Sequence, residues 1–386
     1  MIKMLTAVTS ELDDIKAAAE EILGQLDIGH RLLKNSVGII ICETEFVEAG
    51  IVEALCARLP FDVVGITSRG NAAAGRYDSE MLSISVLTSN DVIFSTSFSR
   101  PISQGNIEAP VRDAFNKGLS KYAEEPSLIL AYPPLIKSIG SGAVFKQINK
   151  TAGNIPVFGS LSCDGTVNFT SCKTIWNGKA LPDAMALVFL YGKVNSRFFV
   201  TSIPPNSLQK QYAVITESQS ETVKKINNMP FTDYLKTLQL SLVNMDILYT
   251  IPFMVKYNDG SLPVARALYS ITPQGYGVFG GEMPEGSMVT IGSLGYPGIM
   301  ETAENTLKEL LNERESSSCA LIYSCAVRNI LLGTKPFDEL EKTVGILGND
   351  MPYQICYSGG EICPVKNAEG LMINQIHNYT FAACIF

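Results

Sequence analysis

One pattern constrains the fold of this 386-residue chain more than any other feature. An apolar strand, an amphipathic helix and a second apolar strand follow one another three times. The connections leave no room for a hairpin, so each copy predicts a βαβ crossover whose two strands are parallel and buried. The strand, helix and strand of each copy are residues 37–42, 46–59 and 61–67, then 127–132, 142–150 and 156–161, then 319–323, 335–347 and 352–357.

Each copy continues into segments that are typical of antiparallel strands. Similarity between the copies is weak at the level of single residues, and it rests on Gly65 and Gly159, each three residues before a serine, and on Pro156 and Pro352 at strand starts. The pattern predicts an α/β fold of layered mixed sheets, built from repeated βαβ units with added antiparallel strands. The added segments are 81–87 with 92–98, 173–176 with 185–191, and 371–376 with 380–386.

The length of the chain predicts more than one domain, because a single hydrophobic core rarely extends over so many residues. The rigid, polar segment 202–207 follows the second copy, and a different region of short strands and turns separates it from the third. A rigid, polar segment of this kind is typical of a domain boundary. We therefore expect two related or intimately packed domains, 1–206 and 207–386.

Composition excludes several classes of partner. The chain has 30 Lys and Arg against 38 Asp and Glu without a basic run, so it does not resemble a nucleic-acid-binding protein. The apolar run 184–191 has the length of a strand rather than of a membrane span. Nine Cys without a CxxC pair predict reduced cytoplasmic thiols, and two His exclude a His-rich metal site. We expect a cytoplasmic protein without a cofactor and without membrane insertion.

Seven segments match the pattern of a known family. They are 281–287, 323–328, 358–361 and 377–380 in the C-terminal half, and 61–70, 156–164 and 184–192 in the N-terminal half. Together they resemble the FIST sensory proteins, which pair an N-terminal with a C-terminal domain. The resemblance covers nearly the whole chain, although its motifs are fold-forming more than catalytic. The sequence departs from the pattern after the first Ser/Thr turn, where Gly70-Asn71-Ala72 replaces the usual Gly-Glu pair.

The resemblance implies a signal-transduction sensor that binds a small molecule, with amino acids as one candidate class. Longer relatives join such domains to kinase, cyclase or chemoreceptor modules, and none of these is recognisable in this sequence. The resemblance therefore implies that a separate signalling protein supplies the output.

The strand ends provide the candidate binding groups, because ligands of α/β sheets bind beyond the carboxyl ends of parallel strands. The third copy is the richest in such groups. Arg328 could hold a ligand carboxylate, Glu361 a ligand amine, and a Gly-Gly turn lets backbone approach a ligand closely. The candidate ligand-binding residues are Ser324, Cys325, Arg328, Ser358, Gly359, Gly360, Glu361, His377 and Asn378.

Each candidate also has a structural interpretation. Cys325 could be a small core residue, Arg328 and Glu361 could pair only with each other, and His377 could be a satisfied structural group. An enzyme is the alternative function, since Cys325 and His377 have the residue types of a thiol nucleophile and its base, with Glu361 to orient the base. Such a protein would be a cysteine-dependent hydrolase or transferase. If the C-terminal candidates do not bind the ligand, the turn 162–164 of the N-terminal half is the next candidate.

Overall fold

The three predicted βαβ units are all present in the computed structural model, and in each unit the two strands pair in parallel. The structure describes residues 1–136, 139–166, 169–240, 248, 250–258, 260–315, 318–348 and 351–386. The fold is a mixed α/β architecture with several mixed sheets, which confirms the predicted fold class.

The first two repeats share one order of elements: strand, helix, strand, helix, strand, a short hairpin and a returning strand. The first consists of β1 (Lys3–Thr9), α1 (Ile15–Leu26), α2 (Ile28–Arg31), β2 (Asn35–Cys42), α3 (Thr44–Glu48), α4 (Ile51–Cys56), β3 (Val63–Thr67), β4 (Asn71–Ala73), β5 (Arg76–Asp78) and β6 (Leu82–Ser89). The second consists of β7 (Ile93–Phe98), α5 (Glu108–Leu119), β8 (Leu128–Tyr132), α6 (Ser141–Ala152), β9 (Val157–Ser160), β10 (Thr174–Trp176), β11 (Lys179–Leu181) and β12 (Ala186–Tyr191).

The third repeat begins with a strand and is then interrupted by an insertion before it resumes. The strand is β13 (Arg197–Thr201). The insertion consists of a 3-10 turn (Pro205–Ser207), β14 (Ala213–Gln219), β15 (Thr222–Ile226), β16 (Met229–Pro230), α7 (Phe231–Thr237), β17 (Pro252–Lys256), β18 (Val264–Ile271), β19 (Gly277–Phe279) and β20 (Met288–Ile291). The repeat resumes with α8 (Tyr296–Glu313), β21 (Ala320–Cys325), α9 (Ala326–Leu331), α10 (Asp338–Leu347), β22 (Tyr353–Ser358), β23 (Glu361–Lys366), β24 (Met372–His377) and β25 (Phe381–Ile385).

The short hairpin of each repeat pairs with a sheet of another repeat. The β4–β5 hairpin joins β22, β10–β11 joins β3, and β23–β24 joins β9. The chain then returns to its own sheet, where β6, β12 and β25 pair with β2, β8 and β21. In the described residues this exchange produces three six-stranded sheets of matching order. The three predicted antiparallel pairs are therefore wrong. Strand β7 pairs with β12 rather than β6, β10 pairs with β3 and β11 rather than β12, and β24 pairs with β23 rather than β25.

One face of each sheet contributes to a common central core. Ile39, Leu130 and Tyr323 belong to this core, and the hydroxyls of Tyr132 and Tyr323 meet there at 2.8 Å. The other face of each sheet packs on its own helices in three separate apolar clusters. Because both faces are buried, the parallel strands read as continuous apolar runs rather than as alternating ones.

The insertion forms an antiparallel barrel, which we call the inserted barrel (residues 213–291). Its sheet closes because β14 pairs with both β20 and β15. Helix α7 packs on the apolar core of the barrel. Ala265 and Ala267 of β18 face outward from that core and contact Cys325, Val327 and Tyr379 of the third repeat. The inserted barrel therefore covers the carboxyl end of β21.

No helix within the described ranges is both long and apolar enough to cross a bilayer.

The predicted division into domains 1–206 and 207–386 stays a prediction. Two of the three six-stranded sheets contain strands from both sides of this boundary. We expect neither fragment to unfold cooperatively on its own, because each would expose unpaired strand edges and half of the central core. Circular dichroism and urea unfolding of the separately expressed fragments test this. The control is the intact chain cut at a protease site inserted at 206/207, which should stay assembled. Two monomeric fragments that each unfold cooperatively would contradict the prediction.

Candidate functional site

The three points where the chain leaves one sheet for another meet at the carboxyl ends of the parallel strands. The Cys163 amide donates to the Thr67 carbonyl at 3.0 Å, the Gly359 amide to Leu161 at 3.0 Å, and the Tyr357 amide to Gly70 at 3.0 Å. These bonds connect the first repeat to the second, the second to the third and the third to the first. The edge at which α/β sheets bind ligands is thus shared by all three repeats.

Glu361 lies at the centre of this junction and is fully buried. Its carboxyl accepts hydrogen bonds from Ser358 Oγ at 2.7 Å and from Thr380 Oγ1 at 2.5 Å. Burial raises the pKa of Glu361 to about 8, and the two hydroxyls only partly oppose that rise. At neutral pH the carboxyl is therefore mostly protonated and can donate a hydrogen bond.

The Gly-Gly turn before Glu361 has the close backbone approach that its sequence predicts. A Cβ on Gly359 would lie 2.6 Å from the Ser162 carbonyl oxygen, and Gly360 has a φ of +148° that favours glycine. The Ser162 hydroxyl beside this turn is buried without a hydrogen-bond partner among the described residues. The turn therefore brings a free hydroxyl of the second repeat next to the third.

Tyr269 of the inserted barrel covers the junction from the other side. Its side chain is 42% exposed, yet surrounding protein raises the pKa of its phenol, and Cys325 and the Glu361 carboxyl add to the rise. We call the region bounded by Tyr269, Gly359 and Asn378 the recess. A Cβ on Gly280 would lie 2.8 Å from the Tyr269 hydroxyl and 2.6 Å from Asn378 Oδ1, so these groups are close together.

His377 and Asn378 lie on the side of the recess formed by β24 and the turn after it. His377 is opposite Glu361 in the strand register, and its Nε2 donates to the Cys363 carbonyl at 3.1 Å. Burial lowers the pKa of His377 to about 4, so its ring is neutral at pH 7. Asn378 Oδ1 accepts from the Ala267 amide at 3.1 Å, which attaches the turn to the inserted barrel.

Arg328 and Ser324 face away from the recess, and this corrects the predicted clamp. Arg328 is fully buried and binds Glu339 of α10 through Nη2 at 2.5 Å, not Glu361. Its remaining N–H groups donate to Glu339, to Thr302 Oγ1 and to the carbonyls of Ile299 and Tyr379. Ser324 Oγ donates to the same Glu339 carboxylate at 2.5 Å. Because all five guanidinium donors are occupied, none is left for a ligand carboxylate.

Cys325 lies at the end of β21 and is only 3% exposed. Burial raises the pKa of its thiol well above the usual range, and the Glu361 carboxyl raises it further. No hydrogen bond joins Cys325 to His377 in the part of the chain that the structure describes. The thiol therefore lacks the lowered pKa and the adjacent base that activate a cysteine nucleophile.

Sequence reasoning missed the contributions of the inserted barrel, namely Tyr269, Arg266 and Glu221. Arg266 had a detectable signal, because it is a single cation inside the otherwise apolar strand β18. Tyr269 had none, since an aromatic residue in a strand is usually a core residue.

A separate surface cavity of about 330 Å³ lies at the opposite, amino ends of the strands. Cations and acids both line it, including Lys193, Arg197, Asp91 and Glu315. It is a competing location for a ligand, although the amino ends of parallel strands are not where α/β folds usually bind one.

Two family profiles match the chain, the FIST N domain over residues 36–229 and the FIST C domain over residues 231–364. No curated protein matches it. A solved structure described as "Cyanuric acid hydrolase: evolutionary innovation by structural concatenation" aligns with 76% of this chain and 99% of its own. The two sequences are 10% identical, and the TM-score is 0.31, so this similarity supports no functional argument.

The Arg328 and Glu339 pair should be a stability element. Arg328→Ala leaves a buried carboxylate without its partner, so we expect the free energy of unfolding to fall by about 3–5 kcal/mol in urea denaturation. The matched control is Lys308→Ala, which removes an exposed ion pair to Glu304 and should change stability far less. Equal effects of the two substitutions would show that Arg328 is not structural.

The raised pKa of Glu361 predicts a specific pH dependence of stability. The folded protein keeps this proton up to about pH 8, whereas the unfolded chain releases it near the ordinary value of 4.5. Stability should therefore fall as pH rises between these values. His377 acts in the opposite direction, because its stabilising neutral form is lost as pH falls from 6.5 through about 4.

Comparing variants isolates the contribution of Glu361. In urea unfolding from pH 5 to 8, Glu361→Gln should lose less stability than the unsubstituted protein, because an amide stays neutral throughout. The control is Glu309→Gln at an exposed position of α8, which should keep the original slope. A slope that Glu361→Gln leaves unchanged would place the titrating group elsewhere.

Proposed function

The chain belongs to the FIST family, and from this premise we propose that it is a signal-transduction sensor whose small polar ligand binds in the recess between Tyr269, Gly359 and Asn378. FIST domains are small-ligand sensor domains of signal transduction. The binding residues and the ligand class named below are our proposal.

The observation that carries the proposal is the convergence of three repeats and the inserted barrel on one recess. The crossover segments of all three repeats are hydrogen-bonded to one another there, and the barrel contributes Tyr269 and Gly280 from above. A ligand in the recess would contact both parts of the molecule. Such a position suits a sensor, because binding can change how the two parts pack.

The groups around the recess favour a polar ligand with hydrogen-bonding capacity. The Tyr269 phenol and the Ser162 hydroxyl can donate and accept, and the neutral Glu361 carboxyl can donate. An amino acid fits this set in one respect: its ammonium would lower the pKa of Glu361, so that the carboxyl releases its proton to solvent and pairs with the ammonium. The ligand carboxylate needs a partner other than Arg328.

The proposal places the protein in the cytoplasm, with its output supplied by a separate signalling protein. The nine cysteines are free in the structure, as a reducing compartment requires.

The barrel surface around Tyr212, which is 51% exposed, lies outside the recess and supplies a control position.

The test begins with native mass spectrometry of the purified protein, followed by thermal unfolding with each of the twenty amino acids. A ligand at about 100 times its dissociation constant should stabilise the protein by roughly 2.7 kcal/mol. Tyr269→Ala should remove this stabilisation, and Tyr212→Ala should keep it. Stabilisation that survives Tyr269→Ala but is lost in Arg197→Ala would move the site to the cavity at the amino ends of the strands.

The reactivity of Cys325 distinguishes a sensor from a thiol enzyme. Because Cys325 is buried and its pKa is raised, iodoacetamide at pH 7 should modify it no faster than the other buried cysteines. Peptide mapping measures the rate at each position. Fast, selective alkylation of Cys325 that His377→Ala suppresses would instead support the cysteine-dependent enzyme.

A further inference from the structure

Helix α6 begins without a cap from its own sequence, and the inserted barrel supplies one. Its N-cap residue is Gly140, which makes no side-chain capping bond. Glu221, in the turn between β14 and β15, accepts a hydrogen bond from the Gly142 amide at 2.6 Å. A carboxylate from the barrel thus occupies the positive end of a twelve-residue helix in the second repeat.

The backbone around this carboxylate leaves no space for side chains. A Cβ on Gly140 would lie 1.3 Å from Glu221 Oε2, and one on Gly142 would lie 2.4 Å from Oε1. The same Cβ on Gly142 would also lie 3.1 Å from the Cα of Gly281 on the barrel. The two parts of the molecule are therefore in backbone contact around a single carboxylate.

A second positive group lies beside this position without an ionic partner. Arg266 is 2% exposed, and its guanidinium donates to the Tyr257 hydroxyl at 2.6 Å and to the Ile376 carbonyl at 2.8 Å, which are neutral acceptors. Among the described residues no carboxylate lies within 4 Å of it. Gly281 connects the two: a Cβ on it would lie 2.8 Å from Arg266 Cζ, and a Cβ on Gly142 would lie 3.1 Å from the Gly281 Cα, so Arg266 lies close to the start of α6. Consistent with this, burial raises the pKa of Glu221 and the Arg266 charge lowers it.

The first residue of α6 also has an unused polar group. Ser141 is 8% exposed, and its hydroxyl has no hydrogen-bond partner within the described chain. A buried hydroxyl without a partner has a desolvation cost that a bound ligand could offset. Together with the buried charge of Arg266, it indicates an occupant that the chain itself does not provide.

We propose that the N-terminus of α6 and Arg266 form a binding site for the carboxylate of a small organic acid or amino acid, and that Glu221 occupies this site as an internal substitute. A ligand carboxylate that enters displaces Glu221 and accepts hydrogen bonds from the Gly142 amide and from the Ser141 hydroxyl. Because Glu221 belongs to the barrel, the exchange breaks one of the contacts that hold the barrel against the second repeat.

This site supplies the carboxylate partner that Arg328 cannot provide, and in that respect it rests on the proposed function. Tyr269 lies near both, since a Cβ on Gly280, the neighbour of Gly281 at the α6 contact, would lie 2.8 Å from its hydroxyl, and the carboxyls of Glu361 and Glu221 both raise the pKa of its phenol. A ligand with an amine at Glu361 and a carboxylate at α6 would extend along the recess beneath Tyr269. Its binding would replace an interaction within the protein by one with the ligand.

Chemical rescue of the intact protein tests the site with acetate as the probe. Glu221→Ala should lower the unfolding temperature, and sodium acetate should restore part of that loss more than sodium chloride at equal ionic strength. Above the acetate dissociation constant, each tenfold rise in concentration should add about 1.4 kcal/mol of stability. Acetamide, the neutral isostere, should restore none, and Glu221→Ala with Arg266→Met should lose the acetate effect.

The matched control is Glu282→Ala, which removes an ion pair to Lys146 across the same interface without opening an anion site. It should show no specific response to acetate. If Glu221→Ala does not fold, Glu221→Gln is the second variant. It keeps the side-chain volume but removes the negative charge near Arg266, and its stability should respond to acetate in the same direction by a smaller amount. Absence of an acetate effect in both variants, or an equal effect in Glu282→Ala, would overturn the proposal. Neither result depends on the amino-acid screen with Tyr269→Ala, so the two proposals can fail separately.

Discussion

The rest of the structure depends on how the outer edges of β3, β9 and β22 find hydrogen-bond partners. Each of these strands has a parallel neighbour on one side and an edge of unpaired amides and carbonyls on the other, which is costly when buried. Each edge is paired with a hairpin from a different repeat. No repeat can therefore complete its sheet alone, and the order of exchange closes a cycle of three.

This exchange also determines where a binding site can form. To reach the next sheet, the chain must cross at the carboxyl end of a parallel strand, and the three crossings meet because the sheets share one core. The crossings satisfy one another's backbone groups, and among the residues that the structure describes the Ser162 hydroxyl has no hydrogen-bond partner. The inserted barrel then covers this junction through β18, so a recess results where loops alone would leave an open surface.

The two buried arginines show how differently this fold treats positive charge. Arg328 has its carboxylate within the chain, and the Glu339 pair ties α9 to α10 beneath the third sheet. Within the described residues Arg266 has only neutral acceptors, and it lies where the barrel meets the second and third repeats. Removal of one partner of a buried ion pair is strongly destabilising because the other charge is left uncompensated, whereas a buried charge without an ionic partner favours any anion that can reach it. The first arrangement supports the fold, and the second is suited to recognition.

The sequence by itself determined the parallel βαβ units, because strands buried on both faces must be apolar throughout and short connections exclude hairpins. It also indicated Gly65 and Gly159 as equivalent positions, and the structure gives the reason: a Cβ there would lie 2.0 Å from the Ile40 carbonyl oxygen and 1.9 Å from that of Ala131. Of the candidate site, Ser358, Gly359, Gly360, Glu361, His377 and Asn378 lie together because they follow one strand end and its hairpin. Only the tertiary structure decided that Arg328 pairs with Glu339, that the hairpins pair outside their own repeats, and that Tyr269, Arg266 and Glu221 reach the junction. Those outcomes depend on contacts between residues far apart in the chain, and local periodicity carries no information about which distant edge or charge a segment will meet.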